Sequence, residues 1–104
     1  MTKVVIEITQ FQLVKGVADQ EFLREAEKVQ QVFLERQPGY LDRELLKDEA
    51  EQWVDILHWE TTAQAQTAAQ AMLQEPACQG FLSMIDPQSI EMLHLERQKK
   101  WDEK

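Results

Sequence analysis

The sequence has few cysteines, few basic residues and no long apolar run. Its single cysteine, Cys78, cannot form an internal disulfide, which is typical of a reducing compartment. Lysine and arginine number 11 against 19 acidic residues, a formal net charge of −8. This charge argues against nucleic acids and anionic membranes as partners, because both would repel it. No apolar run approaches a membrane span and no signal peptide is evident, so the expected location is the cytoplasm.

The length and composition fit one small soluble domain. The chain has 104 residues, of which 43% are hydrophobic, enough for a modest independent core. We expect residues 1–97 to form that domain and residues 98–104 to form a charged C-terminal tail. Trp101 in the tail either docks on a partner subunit or stays in solvent.

The segment 52–60 has the clearest strand pattern in the chain. It is rich in β-branched and aromatic residues and contains no glycine or proline. Alternation gives one face Trp53, Asp55, Leu57 and Trp59, and the other face Val54, Ile56 and His58. Both faces are mostly apolar, which predicts a strand that is covered on both sides.

The other segments alternate between strand and helix patterns. Strands are predicted over residues 4–14, 40–47 and 89–97, helices over 19–37 and 62–74, and a short helical turn within 77–85. Asp19 and Thr61 are the expected N-caps of the two helices. Pro38 and Gly39 end the first helix, and the polar residues 48–51 join the two middle strands as a hairpin.

The resulting order is β-α-β-β-α-β. Two crossover units of this kind predict an α+β, ferredoxin-like fold: a four-stranded antiparallel sheet in the order 4-1-3-2, with both helices on one face. No element remains to cover the other face, although Val54 and Ile56 make it apolar. Because a large exposed apolar face usually marks an interface, we expect a homodimer packed sheet against sheet.

Three short motifs point to a known family. Pro38-Gly39-Tyr40-Leu41, Trp53-Val54-Asp55 and His58-Trp59-Glu60-Thr61, followed by an alanine-rich helix, resemble the antibiotic biosynthesis monooxygenase (ABM) domain of the dimeric α+β barrel superfamily. The resemblance spans about residues 3–97. It implies a homodimeric barrel with a small pocket between sheet and helices, and no cofactor. The family includes cofactor-free oxygenases of aromatics, quinol oxygenases and haem-degrading enzymes.

Individual residues match that family only in part. Trp59 matches the tryptophan of the family's W-E-S motif, which lines the pocket in quinone-forming members. Asp55 stands where those members have asparagine, and an ionised carboxylate cannot donate to a substrate oxygen. Residues 77–86 lack the arginine that those members place after the second helix. Residues 62–86 lack the tryptophan and histidine of the haem-degrading branch, so haem degradation is not expected.

The predicted function is that of a cofactor-independent monooxygenase of a small aromatic or quinol. Asp55 is the expected acceptor or base, and Trp59 is expected to stack on the substrate. The expected substrate contacts are Gln10, Phe33, Tyr40, Met72 and Phe81. The alternative is a non-catalytic small-ligand-binding or sensor protein on the same scaffold, since the fold alone does not choose between them.

Each of these reactive residue types also has a structural interpretation. Trp59 is either a pocket wall or a core aromatic, and Asp55 is either a base or a hydrogen-bonded structural residue. His58 and His94 suggest a metal pair, but their strands are not neighbours in the predicted sheet and no metal site is expected. Cys78 has no basic neighbour in sequence and is expected to be an inert thiol.

Overall fold

The computed structural model describes residues 3–101 as one antiparallel sheet with helices on one face. The strands are β1 (Val5–Phe11), β2 (Tyr40–Lys47), β3 (Trp53–Trp59) and β4 (Glu91–Glu96), in the order β2-β3-β1-β4. The helices are α1 (Asp19–Val32), α2 (Thr62–Gln74) and the short α3 (Gln79–Ser83). The predicted ferredoxin-like fold and its strand order are confirmed.

Strand β3 lies inside the sheet and alternates between buried and half-buried residues. Trp53, Leu57 and Trp59 face the helices and are buried. Val54 and Ile56 point to the other face, where they are half-buried. The period of two that was visible in the sequence therefore separates a helix-covered face from an uncovered one.

Helix α1 begins and ends differently from the prediction. Ala18 is its N-cap instead of Asp19, and the Glu21 carboxylate accepts from the Ala18 N–H at 3.3 Å. The Asp19 carboxylate accepts a hydrogen bond from Lys47 Nζ at 2.6 Å. The α-helix ends at Val32 and a 3-10 turn over Leu34–Arg36 follows it. This tighter turn buries the side chain of Leu34 in the core.

The first and last strands of the chain are also shorter than predicted. Strand β1 ends at Phe11, and beyond it Leu13 forms an isolated bridge with Ile85 in the segment after α3. The residues Pro87–Ser89 form a 3-10 turn, so β4 begins only after them. The end residues of the two predicted strands belong instead to connections that hydrogen-bond to each other, as where Ser89 Oγ accepts from the Gln12 N–H at 2.8 Å.

A β-bulge in β2 decides which of its side chains face the helices. The register shifts between Tyr40 and Asp42, so that Tyr40 lies opposite Trp59 while Arg43 lies opposite Leu57. Strict alternation along the predicted strand 40–47 would place Tyr40 and Arg43 on opposite faces. Both face the helices in the structure, because the extra residue of a bulge shifts the alternation by one.

The core under the helices has two unlike parts. Beneath α1, the ring of Phe22 lies 5.6, 5.0 and 4.9 Å from the rings of Phe11, Trp53 and Phe81, measured between centroids. Beneath α2, the buried residues of the helix are alanines. Their methyl groups fill little of the space above the sheet, so that side of the core remains open.

The uncovered face of the sheet is rich in apolar side chains. They are Ile6 and Ile8 of β1, Leu46 of β2, Val54 and Ile56 of β3, and Leu93 and Leu95 of β4. The three on the edge strands are 42–54% exposed. This is the uncovered apolar surface that the element order predicted.

The C-terminal segment is described as far as Trp101. Its side chain is 73% exposed, and Lys99 Nζ lies 4.8 Å from its ring centroid. The rest of the predicted tail, residues 102–104, lies outside the described residues. Of the helices in the described chain, none combines the length and apolar character that crossing a bilayer requires.

Candidate functional site

A cavity of about 190 Å³ lies between the sheet and helices α2 and α3. Its wall is almost entirely apolar, and its aromatic and aliphatic members include Phe33, Leu57, Trp59, Met72 and Phe81. Three further wall residues, Leu73, Ile90 and Met92, are 43–63% exposed and mark the side that opens to solvent. An apolar cavity of about 150 Å³ is known to bind benzene, so this one has the size for a single aromatic ring.

The cavity brings together most of the residues that the sequence proposed for a site. Those that line it are Asp55, Trp59, Phe33, Met72 and Phe81. Trp59 is both a core residue and a wall residue, since it is 1% exposed and still borders the cavity. Helix α2 is held over the cavity by its predicted cap, in which Thr61 Oγ1 accepts from the Gln64 N–H at 3.1 Å.

Gln10 and Tyr40 do not line the cavity. Gln10 lies opposite Val54 in the sheet and is exposed on the uncovered face, whereas Asp55 lies on the helix-covered face. The Tyr40 hydroxyl accepts from Gln30 Nε2 at 2.9 Å, and its ring meets Trp59 edge-on at 5.9 Å. Tyr40 therefore packs against the wall residue Trp59 without lining the cavity itself.

Asp55 is 7% exposed and is held by an arginine that sequence analysis did not identify. Arg43 Nε donates to Oδ1 at 3.0 Å and Nη2 donates to Oδ2 at 2.9 Å. The remaining Nη1 donates to the Ala26 carbonyl at 3.0 Å, and the guanidinium lies 5.5 Å from the Phe81 ring. This bidentate pair engages both carboxylate oxygens. The role of Asp55 as a base therefore stays a prediction that requires the pair to open.

Glu7 is a second carboxylate in the cavity wall, and it was not among the site residues predicted from the sequence. It is 5% exposed; Trp59 Nε1 donates to its Oε1 at 3.2 Å, and His94 Nε2 lies 2.8 Å from its Oε2. The His94 side chain is 22% exposed, so this pair links the cavity to the solvent. The signal in the sequence was a charged residue between Val5 and Phe11 on the buried face of β1.

The two histidines lie on opposite faces of the sheet. His58 Nδ1 is 2.8 Å from Asp42 Oδ1 on the uncovered face, whereas His94 pairs with Glu7 on the helix-covered face. They cannot share one metal ion in this subunit. Within residues 3–101, no three side chains of histidine, cysteine, aspartate or glutamate are grouped so that they could hold a metal.

The match to a family model decides the family. Residues 4–84 match the model described as antibiotic biosynthesis monooxygenase. The chain belongs to the antibiotic biosynthesis monooxygenase family. Among curated proteins, none matches the sequence.

Solved structures share the ABM fold over nearly the whole chain. SnoaB, a cofactor-independent oxygenase from Streptomyces nogalater, has a TM-score of 0.73 at 19% identity and covers 97% of this chain and 99% of its own. A haem-degrading protein from Mycobacterium tuberculosis has a TM-score of 0.60 at 23% identity, covering 99% and 100%. A conserved protein from Methanosarcina mazei has a TM-score of 0.66 at 10% identity, covering 93% and 95%. At these identities the similarity shows a common fold.

Within this ABM fold, Cys78 is fully buried and adjacent to the end of α2. Burial raises the pKa of its thiol above the ordinary value, and the nearby Glu75 carboxylate raises it further. A thiol that stays protonated is a poor nucleophile. Its environment therefore supports a structural role.

Proposed function

We propose that this ABM family member is a cofactor-independent monooxygenase of a small hydroxylated aromatic, such as a phenol or a quinol. The observation that carries the proposal is a ring-sized apolar cavity with carboxylates in its wall. Trp59 and Phe81 provide aromatic surface, and Glu7 provides an acceptor for a hydroxyl group. SnoaB, which has the same fold, is a cofactor-independent oxygenase, and this supports the same class of reaction here.

In this chemistry the substrate itself supplies the electrons. Loss of the hydroxyl proton leaves an electron-rich aromatic anion, which reduces O₂. One oxygen atom enters the ring, and the other leaves as water with the displaced ring hydrogen and the hydroxyl proton, so a phenol becomes a quinone. The protein has to bind the substrate, accept the proton and exclude water. The apolar wall formed by Leu57, Met72 and Phe81 suits the last of these tasks.

Oxygen consumption with a panel of alkyl phenols and hydroquinones tests the proposal. The informative variant is Ala69→Leu, because Ala69 lines the cavity and a larger side chain would fill it. Ala71→Leu is the matched control, since Ala71 is exposed on the same helix. We expect turnover by the parent and by Ala71→Leu, and a loss of at least about tenfold in Ala69→Leu, since the ring no longer fits.

A second candidate function is the binding of a small ligand without turnover. It is favoured by the way the polar groups near the cavity are engaged, with Asp55 held by Arg43 and Tyr40 held by Gln30. If the parent consumes no oxygen with any compound of the panel, the oxygenase proposal is wrong. Quenching of tryptophan fluorescence by the same compounds, lost in the cavity-filling variant, would then support the binding function.

We also propose that the protein is a homodimer joined through the uncovered face of the sheet. The apolar side chains on that face, with Val54 and Ile56 at its centre, form a surface of the kind that subunits bury. Light scattering at micromolar concentration should give the mass of two subunits. Ile56→Asp should give one subunit, whereas Leu73→Asp, at the cavity mouth, should remain dimeric. A single-subunit mass for the parent would contradict the dimer.

A further inference from the structure

The two carboxylates in the cavity wall differ in the kind of partner that holds them. Asp55 receives two parallel hydrogen bonds from the fixed fork of Arg43, one on each oxygen. Glu7 receives the Trp59 N–H on one oxygen and faces a single imidazole nitrogen of His94 with the other. Each carboxylate keeps lone pairs for a further donor, but Asp55 is paired with a guanidinium cation, whereas Glu7 is not. Of the two, Glu7 is therefore the better acceptor for a ligand hydroxyl.

The position of Glu7 in the sheet gives it access to both the cavity and the solvent. It lies on β1, between Leu57 of β3 and His94 of β4. β4 is an edge strand, and the His94 side chain is 22% exposed there. The carboxylate thus has the cavity on one side and a partly solvated imidazole 2.8 Å away on the other.

We propose that Glu7 accepts the hydroxyl proton of the ligand bound in this cavity, and that His94 is the group through which the proton leaves. This inference rests on the proposed function, because it assigns the proton acceptor of that same site. The O–H bond of the ligand breaks and an O–H bond forms on Glu7, with no electron transferred. One proton lies between Oε2 and Nε2 at their separation of 2.8 Å. When the ligand proton arrives on the carboxylate, this shared proton moves onto Nε2, and the imidazolium releases its Nδ1 proton to water.

The surroundings of the pair contain few other charges. On the same face of neighbouring strands, Asp55 is paired with Arg43. Glu96, next to His94 along the face of β4, lies 3.9 Å from Lys3 Nζ. The cavity residues from α2 and α3 are apolar. Glu7 and His94 are therefore the titratable groups that connect the cavity with water.

A pair of matched probes tests the role of Glu7 without requiring turnover. Para-ethylphenol and para-ethyltoluene differ only in a hydroxyl or methyl group, and both affinities can be measured by tryptophan fluorescence. Relative to para-ethyltoluene, the affinity for the phenol should fall roughly tenfold in Glu7→Gln, because a hydrogen bond to a charged acceptor is lost. Glu91→Gln, exposed on β4, is the control and should match the parent.

His94 is a positioning and relay residue, and its test uses the other histidine as an internal reference. Binding of para-ethylphenol should lower the midpoint of the His94 titration measured by NMR, because the hydroxyl shares the negative charge of Glu7. His58, on the opposite face, should not shift. In Glu7→Gln neither histidine should respond. If the panel contains a substrate, His94→Gln should slow oxygen consumption roughly tenfold, and added imidazole should restore it.

The outcomes separate this inference from the proposed oxygenase. Three results would each overturn this inference, even if oxygen is consumed. The affinities for both probes fall equally in Glu7→Gln, or neither probe binds the parent, or the His94 titration does not move when the phenol binds. The expected affinity ratio and His94 response uphold it, even if the parent consumes no oxygen. In that case the oxygenase proposal alone is lost.

Discussion

The two halves of the helix-covered face of the sheet are packed differently. Beneath α1, Phe22 joins three other aromatic rings and Arg43 holds Asp55, so that side is closed. Beneath α2, buried alanines leave a cavity of about 190 Å³ bordered by Glu7. The comparison indicates that the α1 side is the closed part of the core, whereas the α2 side has space for the proposed ligand.

The two buried carboxylates repeat that contrast at the level of single groups. The partner of Asp55 is a guanidinium, whose fork of donors fixes both oxygens. The partner of Glu7 is an imidazole, whose ring nitrogen can either donate or accept a proton. A fixed partner is suited to structure, whereas an exchangeable one is suited to moving a proton.

The largest expected loss of stability comes from removing an aromatic ring on the closed α1 side. Phe22→Ala should lower the free energy of unfolding by about 4 kcal/mol, because it removes a fully buried ring and leaves a cavity. Met72 is half-buried on the open side. Met72→Ala should therefore lower the free energy of unfolding by less than about 2 kcal/mol, which is less than the loss usual for a fully buried methionine. Urea unfolding measures both. Equal losses would mean that the two sides do not differ in their contribution to stability.

Breaking the Arg43–Asp55 pair should cause the second-largest loss of stability. Arg43→Leu should cost about 3 kcal/mol, since it leaves a buried carboxylate without its counter-charge. The double variant Arg43→Leu with Asp55→Leu should recover much of this loss, because no uncompensated charge then remains. A double variant as unstable as Arg43→Leu alone would show that packing of the arginine, and not charge, dominates.

Neutralising each carboxylate separately sharpens the comparison. Glu7→Gln should cost only about 1 kcal/mol, because the amide oxygen can still accept from Trp59. Asp55→Asn should cost about 2 kcal/mol or more, because an amide group cannot accept both arms of the guanidinium. The reverse ranking in urea unfolding would contradict the assignment of Asp55 to structure and of Glu7 to the site.

The smallest effect concerns Cys78 at alkaline pH. Burial raises the pKa of this thiol above its unfolded value of about 9.0, so its contribution to stability is complete below that pH. The contribution is lost as the pH rises through the folded-state pKa. The parent should therefore lose more unfolding free energy than Cys78→Ala above that pH. Lys47, whose pKa is also raised, affects both proteins alike, so a parallel pH dependence would count against this explanation.

Sequence patterns were sufficient for the elements and for most of the cavity wall. The alternation in β3 placed Asp55 and Trp59 on the face that borders the cavity. Alternation failed in β2, because a bulge after Tyr40 turns Arg43 toward the helices. No local sequence pattern predicts this bulge. Arg43 was therefore not predictable as the partner of Asp55. The contact of His94 with Glu7 was not predictable, because the two residues are 87 positions apart in the chain.

The amino-acid sequence by itself determined the element order, the strand order and the uncovered apolar face, because these follow from local periodicity and from the rules for connecting strands. Only the tertiary structure decided which of the two carboxylates in the cavity wall is held by a guanidinium and which lies beside an imidazole. Hydrogen-bond partners are set by the register between distant strands, and one bulge is enough to exchange them.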